Sequence, residues 1–85
     1  MARKPNQYVR WNAAEIEILD VELDESGFAA DLGGNLSDTT LRSAYLALVK
    51  DMTYGEAGGA LGVSRNVVAG AVFRARKALG IEAGR

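Results

Sequence analysis

The chain has 85 residues, 48% of them hydrophobic, with ten basic and 11 acidic side chains for a formal net charge of −1, and it holds no histidine and no cysteine. A chain of this length is expected to make one domain with a small core and no disulfide staple. Without His or Cys there is no Cys/His zinc site, no Ser–His triad and no thiol nucleophile. A carboxylate–magnesium or lysine-based site is left open by composition, but 85 residues leave little room for a buried cleft, so no enzyme, metal site or cofactor is expected.

Charge is segregated along the chain. Residues 1–10 carry Arg3, Lys4 and Arg10 and no acid. Residues 11–41 carry Glu15, Glu17, Asp20, Glu22, Asp24, Glu25, Asp31 and Asp38 and no base. Residues 42–85 carry seven bases against three acids. An acidic middle between basic ends implies two surfaces with different partners. The plainer alternative is a solvated acidic helix that keeps the protein soluble. The longest apolar run, Val67 to Phe73, contains Gly70 and has arginine close by on both sides, so no membrane span is expected. The N-terminus lacks the apolar stretch of a secretory signal, and cytoplasm is the default location.

Residues 1–10 read as a flexible basic arm interrupted by Pro5. Residues 11–36 read as an acidic helix and a connector. Asn12 resembles an N-cap, with Glu15 three residues on to complete a capping box. A helix from Ala13 to about Glu25 follows, with Ile16, Leu19 and Leu23 on one face and Trp11 packing at its start. The alternation Glu15-Ile16-Glu17-Ile18 and Asp20-Val21-Glu22-Leu23 leaves a strand open as the alternative. Gly27 ends the element. Phe28 and Leu32 are core anchors in the connector, and Gly33-Gly34 breaks it.

Residues 37–80 read as three helices. Ser37 or Asp38 caps the first, about Thr39 to Asp51, whose buried stripe is Leu41, Tyr45, Leu48 and Met52. Thr53 caps a short helix to Leu61, with Glu56 as its box partner. Gly62 stands where a helix C-terminus favours a left-handed residue. Ser64 caps the last helix, Arg65 to Leu79, with Val68, Ala71, Val72, Ala75 and Leu79 buried and Gly80 as its stop. Residues 81–85 are a tail. The fold expected is an all-α bundle of about four helices.

A short capped helix, a turn at Gly62-Val63-Ser64 and a longer amphipathic helix make the helix-turn-helix pattern. Ala57, Gly58 and Ala60 are small enough for close helix approach. The outward face of the last helix carries Arg65, Asn66, Ala69, Gly70, Phe73, Arg76 and Lys77. Arg and Asn donors match guanine and adenine edges, and Ala69 and Gly70 let the backbone come near the bases. Ser64, Arg74, Arg76 and Lys77 are phosphate contacts, and Arg3, Lys4 and Arg10 add phosphate or minor-groove contacts. A helix dipole favours bases at a C-terminus whatever the function, so Arg65, in the first turn, is the more informative charge. Phe73 is apolar on an exposed face, where packing on the arm or on a partner is commoner than stacking on a base.

The stretch Thr53-Tyr54-Gly55-Glu56-Ala57-Gly58-Gly59-Ala60-Leu61-Gly62-Val63-Ser64, with Val68 and Arg74-Ala75-Arg76-Lys77-Ala78-Leu79, resembles the helix-turn-helix of region 4 in bacterial sigma factors. The resemblance covers about residues 39–80. Within it, Leu61 to Arg74 is also similar to the GcrA-type cell-cycle regulators of alphaproteobacteria, through Arg65-Asn66, Gly70 and Arg74. Trp11 and Glu15 are similar to the opening helix of that family. Gly58 departs from both families, which usually have alanine there, and Gly59 follows it. Two such glycines cost roughly 1 kcal/mol each relative to alanine. The spacing from Trp11 to the turn is longer than in GcrA-type proteins, and a promoter-melting region is absent, so the chain is not read as a sigma factor.

The resemblance implies a bacterial or phage transcription regulator that binds double-stranded DNA and touches RNA polymerase or its sigma subunit. One helix pair reads only a few base pairs, which implies a homodimer, a higher oligomer or a second protein contact. A phage-type DNA-packaging protein, similar to small terminase subunits, is the alternative that also uses DNA. A protein-interaction module is the alternative that does not. There the working surface is Glu15, Glu17, Asp20, Glu22, Asp24 and Glu25, docked on a basic partner.

Overall fold

The computed structural model describes residues 10–34 and 36–80. Among them are five helices and no strand: α1 (Ala13–Ser26), α2 (Phe28–Asp31), α3 (Asp38–Leu48), α4 (Tyr54–Leu61) and α5 (Arg65–Leu79). The chain is thus an all-α bundle, with one short helix more than the sequence pattern predicts. No described helix is long and apolar enough to cross a membrane. The arm residues Arg3 and Lys4 and the tail 81–85 lie outside the described residues.

Local chemistry decides where α1 begins and ends. The Asn12 side chain accepts the Glu15 N–H at 2.9 Å, and the Asn12 N–H donates back to the Glu15 carboxylate at 2.8 Å. This reciprocal box satisfies two otherwise orphaned donors and settles helix over strand for residues 13–25. Gly27, at φ 77°, ends α1 and leads into α2. Ser26 ties the two together, its hydroxyl donating to the Leu23 carbonyl and accepting from the Phe28 N–H. That geometry drives Phe28 into the core, edge-on to Tyr45 with ring centroids 5.3 Å apart. Leu32 is buried as expected. Ile16 is not. It is half-buried and lines an open hollow with Trp11, Arg42 and Leu61.

The central helix α3 differs most from expectation. Its buried residues are Ser43, Ala44, Tyr45 and Leu46. Leu41, Leu48 and Met52 only pack at the margin of the core. The reason is tertiary: α3 packs against α1, α4 and α5, so it is covered on more than one face. Ser43 and Ala44 are small enough to let those neighbours close in. The helix also stops three residues short of Asp51, which adopts a left-handed φ of 62°.

Candidate nucleic-acid interface

The pair α4–α5 begins with a second reciprocal box. Thr53 Oγ1 accepts the Glu56 N–H at 3.0 Å, and the Thr53 N–H donates to Glu56 Oε1 at 2.9 Å. At its other end Gly62, at φ 74°, lets the chain reverse. The Val63 N–H donates to the Gly58 carbonyl at 2.9 Å and the Gly62 N–H to that of Gly59 at 3.3 Å. These two bonds are the Schellman closure of a helix end. Ser64 then starts α5, its hydroxyl accepting the Val67 N–H at 3.2 Å.

Close approach across this turn explains Gly58. A Cβ at that position would lie 2.6 Å from the Val63 carbonyl oxygen and 3.3 Å from the Ser64 carbonyl carbon. Both are backbone atoms with nowhere to go. Where the resembled families usually have alanine, this chain leaves no room for it. Ala57 and Ala60 are buried beside it, as expected of small residues at a helix crossing.

Val68, Ala71, Val72 and Ala75 turn α5 into the core. The opposite side is one stripe, Asn66, Gly70, Phe73 and Lys77, spaced by four, three and four residues. Asn66, Phe73 and Lys77 are exposed, whereas Ala69 and Gly70 are half-buried. Phe73 keeps 54% of its surface in solvent, and the Lys77 ammonium lies 5.7 Å from its ring centroid. Arg74 is exposed and lies beside Gly70, its Nη1 3.6 Å from where a Cβ on that glycine would sit. Arg65, also exposed, lines a groove with Thr53, Gly55, Gly59 and Val63 at the start of α4. From sequence Thr53 reads only as a cap, since its place beside Arg65 depends on the turn.

Arg76 departs from the outward face predicted for it. It is half-buried, and its Nε is enclosed without a hydrogen-bond partner. It follows the buried Ala75 directly and so stands at the border of the core face. Arg10 is drawn in from the other direction. The Trp11 N–H donates to the Ala60 carbonyl at 2.8 Å, which pins this segment on α4. The Arg10 side chain then lies across the turn, with Cζ 2.8 Å from a Cβ placed on Gly62.

The acidic residues divide into two groups. Asp20 accepts two hydrogen bonds from the Arg42 guanidinium, at 2.8 and 2.7 Å. Glu22 accepts from Lys50 at 2.7 Å and from the Tyr45 hydroxyl at 2.9 Å. The Arg42 bonds hold the Asp20 carboxyl below its ordinary range, against a smaller opposing effect of burial. The bonds from Lys50 and then Tyr45 do the same for Glu22. Burial, reinforced by Glu22, pushes the Tyr45 phenol up. Glu15 serves its capping box. Glu17, Asp24 and Glu25 stay exposed on α1, along with Ile18 and Val21, which are 66% and 52% exposed.

Among the described residues, the ion pairs therefore join α1 to α3 and to the segment just after it, and none involves a base of α5. No group of acidic side chains there could hold a metal ion. Comparison with known proteins adds no assignment: no family model, curated protein or solved structure matches the chain.

Proposed function

We propose that the chain is a sequence-specific DNA-binding transcription regulator, in which α4, the turn and α5 act as a helix-turn-helix and α5 enters the major groove. The observation that carries this reading is the division of the basic side chains. Arg42 of α3 and Lys50, just past the end of that helix, are each engaged by an acid of α1, whereas Arg65, Arg74, Arg76 and Lys77 of α5 make no such pair among the described residues. Cations held without acidic partners around an exposed face suit a polyanion.

In this reading Arg65 and Asn66 meet base edges, and Ala69 and Gly70 allow close approach. Ser64, Arg74, Arg76 and Lys77 hold the backbone, and Arg3, Lys4 and Arg10 add phosphate or minor-groove contacts. The resemblance to sigma region 4 and GcrA-type proteins adds a contact with RNA polymerase or its sigma subunit. A packaging role for the same helix pair predicts a ring, which size-exclusion chromatography with light scattering detects; a monomer or dimer argues against it.

Selection of bound sequences from a random DNA pool at a stated salt concentration tests the reading. Enrichment of a motif is expected, and its absence overturns DNA recognition. In a mobility-shift titration on the enriched site, Arg65→Ala is expected to lose about 1–3 kcal/mol and to relax one base position. Unchanged specific binding by that variant refutes the docking assignment.

A second reading rests on the exposed Ile18 and Val21 among Glu17, Asp24 and Glu25 on α1. There α1 docks a basic protein partner. Neutralising the three acids should then abolish recovery of the polymerase in a pull-down, and unchanged recovery sinks it.

A further inference from the structure

Gly70 and Phe73 are unexplained by the internal packing of the protein. A glycine within a helix costs about 1 kcal/mol relative to alanine. At Gly58 a backbone clash accounts for that cost. At Gly70 it does not, because an added Cβ would meet only the Arg74 side chain, at an ordinary 3.6 Å. Alanine therefore fits the folded chain, and the missing side chain makes room for something outside it. One turn further along the same stripe, Phe73 holds an aromatic ring more than half in solvent. Lys77 sits over that ring rather than over an acid. Arg74 lies beside the notch and Lys77 over the ring, so whatever fills the notch is apolar at the ring and anionic at its sides.

We propose that Phe73 is a specificity-determining residue that rests on the 5-methyl group of a thymine in the major groove, with Gly70 holding open the space through which the base edge approaches. The inference rests on the DNA-binding reading above and names part of what that site recognises. Thymine is the base that presents an apolar group in the major groove, and an aromatic side chain is one of its known complements. Seven residues separate Asn66 from Phe73, roughly 10 Å along the helix axis or about three base-pair steps. Both residues therefore reach the same groove segment. An adenine opposite Asn66 and a thymine opposite Phe73 make the expected site A·T-containing at both ends of the contact.

Deoxyuridine differs from thymidine only by lacking that methyl, so single replacements in the selected duplex isolate the contact. At one thymine, replacement should weaken binding of the unaltered protein about fourfold, the value of one buried methyl-sized group. Phe73→Ala should lose at least that factor on the thymine duplex and become indifferent to the replacement. Phe73→Leu, which keeps an apolar tip, should stay sensitive. Gly70→Ala should raise the melting temperature while weakening DNA binding, a pairing that a purely structural glycine would not give. Tolerance of every replacement by the unaltered protein overturns the proposal while leaving DNA binding intact. So does equal sensitivity in Phe73→Ala, or a change of oligomeric state in Phe73→Ala with no methyl effect, which would mark the ring as a protein contact. Failure of the selection itself removes the DNA reading and this inference together.

Discussion

A Cβ on Gly58 would meet the Val63 carbonyl oxygen at 2.6 Å, a backbone atom fixed by the turn hydrogen bonds. Helix propensity alone predicts that Gly58→Ala stabilises by about 1 kcal/mol. Overpacking against an immovable neighbour costs about 1–3 kcal/mol, and it wins here. The variant should therefore melt at lower temperature than the parent, and a higher melting point would disprove the crowding. Ser43 presents the opposite case. It is fully buried on α3, and its hydroxyl has no hydrogen-bond partner. An unsatisfied buried hydroxyl is destabilising, and alanine removes it without opening a sizeable cavity. Ser43→Ala should raise the urea midpoint, by up to about 1 kcal/mol of stability. A loss greater than that would mean that the hydroxyl has a partner. Neither residue's environment is legible from its neighbours in sequence, because the atoms that crowd or enclose it belong to other turns and helices.

Between elements, α1 is held to α3 by Asp20–Arg42 and to the segment just after it by Glu22–Lys50, with Leu19, Leu23 and the α2 residue Phe28 packed into the shared core. Both carboxyls titrate below their ordinary range in the folded chain. Their contribution is therefore complete above the ordinary carboxylate range, about pH 4, and is lost as pH falls through the lower folded values. Thermal stability should drop on acidification below about pH 4, and Asp20→Asn with Glu22→Gln should flatten that drop. A parallel acid limb in the variant would show that other groups carry it. Both pairs are partly exposed, so a double-mutant cycle on Asp20 and Arg42 should return only about 0.5–1 kcal/mol. Helix ends were legible at this scale. The boxes Asn12/Glu15 and Thr53/Glu56, the Ser64 cap and the stops Gly27, Gly62 and Gly80 act within a few residues. α2 has only four residues, too few for a periodic pattern, and its place follows from where Phe28 is buried.

At the scale of the molecule, α1 and α5 both pack on α3, the one carrying Glu17, Asp24 and Glu25 and the other Arg65, Arg74, Arg76 and Lys77, none of them in an ion pair among the described residues. Half of the acidic surface expected of α1 is spent internally, since Asp20, Glu22 and Glu15 have partners within the chain. Glu17, Asp24 and Glu25 remain, and in the DNA-binding reading their field opposes a polyanion held by α5. Glu17→Gln, Asp24→Asn and Glu25→Gln together should tighten non-specific DNA binding at low salt, with the gain fading as salt rises. An unchanged affinity at low salt would assign those acids to solubility or to a protein partner.

The formal charge of −1 conceals this arrangement, and the order of the residues reveals it. By itself the sequence determined a mainly helical class, the caps and glycine stops and the inward face of α5, because caps and periodicity are local properties of the backbone; helix against strand at residues 13–25 it left open. It determined also the exclusion of Cys- and His-based chemistry, which needs side chains the chain does not contain. The tertiary structure decided the rest: the breadth of the buried surface on α3, the half-burial of Arg76, the need for Gly58, and which charges stay free. Those depend on distances between residues far apart in sequence. The same acid is a solvated charge or half of an ion pair according to what packing brings within 3 Å of it.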